Sequence, residues 1–276
     1  MRGLKSVFLK SLVRVLTCVA GFSWWPGGVG VARGGGAELP VEVQQLVVGI
    51  AQDWDASRGF AQRFERGVGG GDGGGREGWR AVGKPWPVLF GKNGLAWGRG
   101  VRGEGEPGLQ KVEKDRRAPA GVFALGTVYT YDRELPAGAD YPFHTVTAAD
   151  AWVDDPALPE YNRHVRVEDL AKAPPWFEKQ RMRHGDFAYR WLVEIRHNAD
   201  PPKSGAGSAI FFHLRRGVDR PSAGCTVMGE EDLVRMIRWL RAGKRPHYAL
   251  LERGEYLAKW RGWGLPRPEA AAGLLR

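Results

Sequence analysis

SAIFFHLRRGVDRPSAGCTVMGEEDLVRMIRWL, residues 208–240, carries three consecutive signals. Ile210-Phe-Phe-His213 reads as a short apolar strand ending near its histidine, and the polar stretch 215–221 is a turn-rich loop closing on Ser222-Ala-Gly-Cys225. An amphipathic helix follows. Glu230, Glu231 and Asp232 fill its first turn, Arg238 and Arg241 its last, and Gly243 and Pro246 stop it. Leu233, Ile237 and Leu240, spaced i, i+4, i+7, give it one core-facing side. Strand, loop and helix thus bring an imidazole, a small-residue turn and a thiol together.

Outward from this stretch the chain is read as strand-rich. Gln45-Leu-Val-Val-Gly-Ile-Ala51 is apolar and β-branched, 53–59 holds turn residues, and Phe60-Ala-Gln-Arg-Phe-Glu65 alternates, which together predict a hairpin. Trp79-Arg-Ala-Val82 and Trp86-Pro-Val-Leu-Phe90 predict two further short strands, and Asn93-Gly94 a type I′ turn. The glycine run 67–75 lacks the Lys-Ser/Thr ending of a phosphate loop and is read as a surface loop. Residues 99–117 form a polar loop, and Ala118-Pro-Ala-Gly-Val-Phe123 opens a strand. From 129 to 187 aromatic and acidic residues mix without period, an irregular insertion of the length usually kept for function. Trp191-Leu-Val-Glu-Ile195 and His247-Tyr-Ala-Leu-Leu251 are late strands, and the tail from Gly262 is expected to fray. With 40 Gly, 18 Pro and a hydrophobic fraction of 43%, the expectation is one mainly β domain with minor α, a twisted β-sandwich or barrel over 45–252, followed by an extension over 253–276.

Arg2, Lys5, Lys10 and Arg14 precede the apolar run 15–25, and Gly35-Gly-Ala37 precedes Glu38. Residues 1–37 are therefore read as a secretory signal whose removal leaves no stable membrane span; a basic cytoplasmic tail is the alternative. Val15-Leu-Thr before Cys18 fits a lipoprotein site less well. Cleavage leaves Cys225 as the single thiol, with no intramolecular disulfide open to it. A net charge of +10 favours an anionic partner, but no nucleic-acid-binding signature accompanies it, so nucleic acid is not expected and anionic envelope polymers are.

A cysteine attacks as its thiolate, so a reactive thiol needs a nearby base, cation or helix N-terminus. His213, twelve positions upstream of Cys225, can supply the base, and the helix begins shortly after the cysteine. Gly224 lets backbone approach a carbonyl, and amides around Gly224 and Cys225 can form an oxyanion hole. Taken singly, Cys225 reads equally as a buried small hydrophobe and His213 as a core histidine. His144, His164, His184, His197 and His247 show no metal-ligand spacing, so no metal and no cofactor is expected.

His213 followed by Ser222-Ala-Gly-Cys225 resembles the signature of the L,D-transpeptidase (YkuD-like) family, in which a histidine precedes a Ser/Thr-x-Gly-Cys nucleophile. Ala118-Pro-Ala-Gly-Val-Phe123 is similar to that family's Thr-Pro-x-Gly-x-Phe strand entry. The resemblance implies an exported or periplasmic bacterial enzyme acting on peptidoglycan stem peptides. Cys225 would attack the carbonyl of a diamino acid, expel D-alanine and pass the acyl group to an amine, giving a 3-3 crosslink. His213 would be base and then acid, with Ser222 and Gly224 shaping the site. Ala223, Thr226, Tyr161 and Asn162 are the expected substrate contacts, the last two reaching in from the insertion. Ala223 stands where many members carry His, Val227 where Arg or Asn is common, and the His-to-Cys spacer is short. Hydrolysis of the same bond by an L,D-carboxypeptidase and a non-catalytic wall-binding module are the alternative readings.

Overall fold

The computed structural model describes residues 38–67, 78–182 and 185–276. The signal segment, Cys18, nearly all of the glycine run and His184 lie outside them. Among the described residues twelve strands and three α-helices follow in order: β1 (Gln45–Ala51), β2 (Arg58–Glu65), β3 (Arg80–Leu89), β4 (Leu95–Trp97), β5 (Ala118–Thr130), β6 (Phe143–Thr145), β7 (Asp150–Trp152), β8 (His164–Arg166), α1 (Phe177–Gln180), β9 (Trp191–Ile195), β10 (Phe211–Leu214), β11 (Thr226–Met228), α2 (Glu230–Trp239), β12 (His247–Glu252) and α3 (Arg253–Trp263).

Hydrogen bonding runs β12-β1-β2-β3-β11-β10-β9-β5, and β5 pairs back onto β12, so eight strands close into a ring; β4 and β6 flank β5. Closure leaves these strands no free edge and turns alternate side chains inward. Leu46, Val48, Phe64, Phe123, Phe212 and Tyr248, each no more than 1% exposed, belong to one large core. Helix α2 seals one side through Leu233, Met236 and Ile237, and Leu240 just beyond it is equally buried. Each such side chain contributes about 1.5–3 kcal/mol of apolar burial. The mainly β expectation thus holds.

Four local expectations are corrected. The two short strands at 79–90 are one strand, β3, interrupted where Ala61 pairs Trp86 but Arg63 pairs Val82; the extra residues bulge out, which accommodates Pro85 inside a strand. At the Asn-Gly step the left-handed conformation falls on Gly94 (φ +83), whose N–H reaches the Gly91 carbonyl, so it is not a two-residue I′ turn. A Cβ on Gly94 would lie 2.1 Å from the Trp54 carbonyl oxygen. Thr226–Met228 is a strand, inserted between β10 and β3, rather than the lead-in to a helix. Finally, the tail does not fray: Leu265, Ala271 and Leu274 are core residues, and Gln52 donates to the Arg276 carbonyl. Helix α3 is capped by the Glu252 carboxylate at its start and by left-handed Gly264 at its end, which explains its order beyond the late strand.

Candidate active site

Strands β10 and β11 run parallel, with Phe212 opposite Thr226 and His213 opposite Val227. Continuing that register back one residue places Cys225 opposite Phe211. Because side chains alternate across a sheet, Phe211, His213 and Cys225 share one face, while Phe212 and Thr226 share the other. Packing agrees. Phe212 and Met228 belong to the main core, whereas Phe211 joins Tyr129, Val146, Met182 and Leu192 in a second apolar cluster against which Cys225, Ala209, Trp152 and Tyr189 pack. Val146, Trp152 and Met182 come from the insertion and Tyr189 follows directly after it, so that segment walls the cysteine's face.

The turn before Cys225 is pinned at Ser222. Its N–H donates to the Phe90 carbonyl and its carbonyl accepts from Lys92 N–H, both at 2.9 Å, joining the turn to the end of β3. The Ser222 hydroxyl donates to the Cys225 carbonyl (2.6 Å) and accepts the Gly224 N–H (2.9 Å). Gly224 has φ +150, and a Cβ there would stand 3.1 Å from the Arg117 carbonyl oxygen and 3.3 Å from Ile210 Cδ1. Glycine is required for both reasons. The Gly224 amide is already given to Ser222, which corrects its expected place in an oxyanion hole. Ala223 is exposed at the tip.

Cys225 is half-buried, and its thiol donates to the Ala209 carbonyl at 3.4 Å. Burial pushes the thiol pKa up to about 11, against the opposing pull of the Phe211 backbone and the Lys111 ammonium. Lys111 is itself buried, 2.5 Å from Asp115 Oδ1. Helix α2 begins at Glu230, where its acidic first turn predicts, and β11 stands between Cys225 and that N-terminus.

His213 is 6% exposed. Its Nδ1 donates to the Leu214 carbonyl at 3.0 Å, and the Tyr189 ring stands edge-on, centroids 5.1 Å apart. Tyr189 is held in turn: the Arg216 guanidinium lies over it at 5.2 Å and pairs with Asp186, 2.9 Å from Oδ1 and 2.5 Å from Oδ2. Burial lowers the His213 pKa to about 4, the Leu214 carbonyl opposing and Arg216 adding to the fall. At neutral pH the resting pair is therefore a neutral thiol and a neutral imidazole. Nδ1 is protonated toward Leu214, and the Ala188 backbone also bears on the ring, opposing the fall.

The remaining expected contacts separate. Thr226 is turned into the main core, 1% exposed with its hydroxyl 3.1 Å from that of Tyr248, so its side chain cannot meet a substrate on the cysteine's face. Tyr161 is buried, and its hydroxyl donates to Glu113 Oε2, which also accepts from Ser208 Oγ at 2.7 Å. It ties the insertion to the approach of β10. Asn162 is linked to the thiol through Ala209: its Oδ1 accepts from Ala209 N–H (3.0 Å) and Trp152 Nε1 (3.2 Å), and its Nδ2 donates to the carbonyls of His197 (2.9 Å) and Asn198 (2.8 Å). Asn162 and Ala209 both have positive φ, +56 and +53. A strained alanine held by Asn162 thus presents the carbonyl that receives the Cys225 thiol. Nothing in the sequence sets Ala209, Lys111 or Tyr189 apart; Lys111 is one of ten charged residues in 99–117.

Two of the histidines that show no ligand spacing in sequence meet in space. His144 and His164, twenty positions apart, both place Nε2 on Asp150 Oδ1, at 2.8 and 2.7 Å.

The YkuD family, the L,D-transpeptidase catalytic domain, matches residues 76–248, more than half of the chain, and the chain belongs to that family. No curated protein and no solved structure matches it. The match begins before β3 and ends inside β12, so β1 and β2, which complete the ring, precede it. Among the described residues no helix is long and apolar enough to cross a membrane.

Proposed function

We propose that the protein is a cysteine acyltransferase of the cell envelope that joins peptidoglycan stem peptides through an acyl-enzyme on Cys225. The observation that carries this reading is the placement of thiol and imidazole on one face of adjacent parallel strands, with Nδ1 of the imidazole held by the Leu214 carbonyl. In the proposed reaction the Cys225 thiol leaves the Ala209 carbonyl, passes its proton to His213 Nε2 and forms a C–S bond to the carbonyl of the diamino acid. The C–N bond to D-alanine then breaks, and His213 returns the proton to the departing amine. A second stem's amine attacks the thioester, regenerating the thiol. Because the Gly224 amide is engaged, oxyanion stabilisation is assigned to the amide of Cys225. The exposed Ala223 tip and the insertion wall are the proposed donor-peptide boundaries, and the positive net charge suits an anionic envelope polymer.

Incubation of the purified chain with tetrapeptide muropeptides is expected to release D-alanine and form 3-3 crosslinked dimers, with Cys225→Ala inactive and unable to form a covalent adduct with a carbapenem. Release of D-alanine without dimers identifies the carboxypeptidase instead. An adduct or product that persists in the Ala variant removes the thiol from the chemistry.

A further inference from the structure

The His144, Asp150 and His164 cluster lies outside the proposed chemistry. Each residue comes from a different strand of the insertion: His144 from β6, which pairs with β5 of the ring, and Asp150 and His164 from β7 and β8, which form a separate two-stranded ribbon. Three ligand atoms converge, all within 4.8 Å of one another. Asp150 is fully buried, and its two oxygens are differently used. Oδ2 accepts from Thr147 N–H (2.7 Å) and Thr147 Oγ1 (2.6 Å), while Oδ1 is left to the two imidazoles. This is the arrangement of a metal-ligating carboxylate with its outer oxygen oriented by a neighbour.

The inner side of the cluster is apolar. The Tyr129 ring lies 5.8 Å from His144 and 5.1 Å from His164 by centroids, and itself packs on Trp152 and Phe211. The outer side is open, with the imidazoles 29% and 20% exposed, so an ion and its water have a way in. Ligand atoms around a tetrahedral zinc stand about 3.4 Å apart for bonds of roughly 2.1 Å. The two N···O separations need widen by only a fraction of an ångström to admit one.

The geometry points to a divalent transition-metal site of the zinc class, formed by Nε2 of His144, Oδ1 of Asp150 and Nε2 of His164 with a position left for water. The bound ion would staple the β7–β8 ribbon to β6 and so to the ring, fixing the wall over Cys225. On binding, each neutral imidazole takes the tautomer with its proton on Nδ1, so that the Nε2 lone pair turns from Asp150 to the ion.

The test uses the full chain without a polyhistidine tag, freed of metal with a chelator and dialysed against Zn2+. One Zn2+ per chain is expected, with a raised thermal midpoint, and Co2+ in its place should give visible ligand-field absorption. His144→Ala and His164→Ala should each weaken binding at least tenfold, while Cys225→Ala binds as the wild type does. Failure of the wild type to retain Zn2+, full binding in the His144→Ala/His164→Ala double variant, or loss of binding in Cys225→Ala would each overturn the assignment, the first leaving a purely hydrogen-bonded cluster and the last moving the ion to the thiol. A measurement that needs no variant is diethyl pyrocarbonate labelling of the wild type: Zn2+ should protect His144 and His164 selectively, and equal labelling with and without the ion overturns the site.

Discussion

Replacing Asn162 by Ala should damage both the stability of the protein and the setting of its thiol. Asn162 is 7% exposed and makes four hydrogen bonds, two accepted and two donated. Truncation leaves the Ala209 N–H, the Trp152 indole N–H and the carbonyls of His197 and Asn198 without that partner. Each group left unsatisfied inside a protein costs about 1–3 kcal/mol, but these losses are not additive and water can enter part of the gap. The side chain is also lost at φ +56, where Asn is favoured over Ala, which adds up to about 1 kcal/mol. A total of about 3–4 kcal/mol is expected, at the upper end for a single substitution. Asn162→Gly separates the two causes, since it relieves the backbone but restores no hydrogen bond; it should recover less than a third of the loss. Urea denaturation followed by tryptophan fluorescence measures the stability. The same variants should alkylate faster at Cys225, because Ala209 is no longer held where its carbonyl takes the thiol proton. An Asn162→Ala protein within about 1 kcal/mol of wild type and with unchanged alkylation would show that Asn162 neither anchors the insertion nor sets the thiol.

Raising the Cys225 pKa from the ordinary 9.0 to about 11 lowers its thiolate fraction about a hundredfold at pH 8, so iodoacetamide alkylation should still rise steeply above pH 10; a half-maximal rate near pH 9 would refute the burial argument. Gly224→Ala forces a side chain into φ +150 and toward the Arg117 carbonyl, at a cost of about 1–3 kcal/mol, and should abolish carbapenem acylation; a variant with wild-type thermal midpoint and acylation would free that glycine of its role. His213 and His197 have folded pKa values of about 4 and about 3, below the unfolded 6.5, so the unfolded chain binds more protons as pH falls. Their contribution is present above pH 6.5 and is lost progressively toward the folded values, a few kcal/mol by pH 4.5, and equal urea midpoints at pH 7 and pH 4.5 would contradict it.

Much of the ring was readable from period and punctuation. The hairpin of β1 and β2, the entry of β5, the strands β9, β10 and β12 and the apolar face of α2 carry either alternation or an i, i+4, i+7 pattern strong enough to stand alone. What stayed hidden was set by pairing. Thr226–Met228 is too short for alternation to register, and it becomes a strand because β10 and β3 flank it. Leu274 is buried because the tail packs back on the ring, a contact no local pattern encodes. The site divides the same way. Cys225, His213, Ser222 and Gly224 lie within one short stretch, where strand-and-turn chemistry makes them neighbours. Ala209 has no distinguishing residue type at all; its importance comes from a left-handed backbone held by Asn162, forty-seven residues earlier.

The insertion therefore does more to the site than cover it. Closing apolar surface over Phe211 and Cys225 disfavours both charged forms, lowering the imidazole's affinity for a proton while raising the thiol's. A preformed thiolate–imidazolium pair is thus the less stable resting state, and the thiol is stored on the Ala209 carbonyl instead. The proposed reaction then has to begin with a change at Ala209, the residue whose amide is held from the insertion by Asn162. Any event that tightens or loosens the insertion, including an ion at His144, Asp150 and His164, acts on the thiol through that hydrogen bond. It follows that alkylation of Cys225 should respond to Zn2+ in the wild type and cease to respond in Asn162→Ala, even though Asn162 touches neither the ion nor the sulfur.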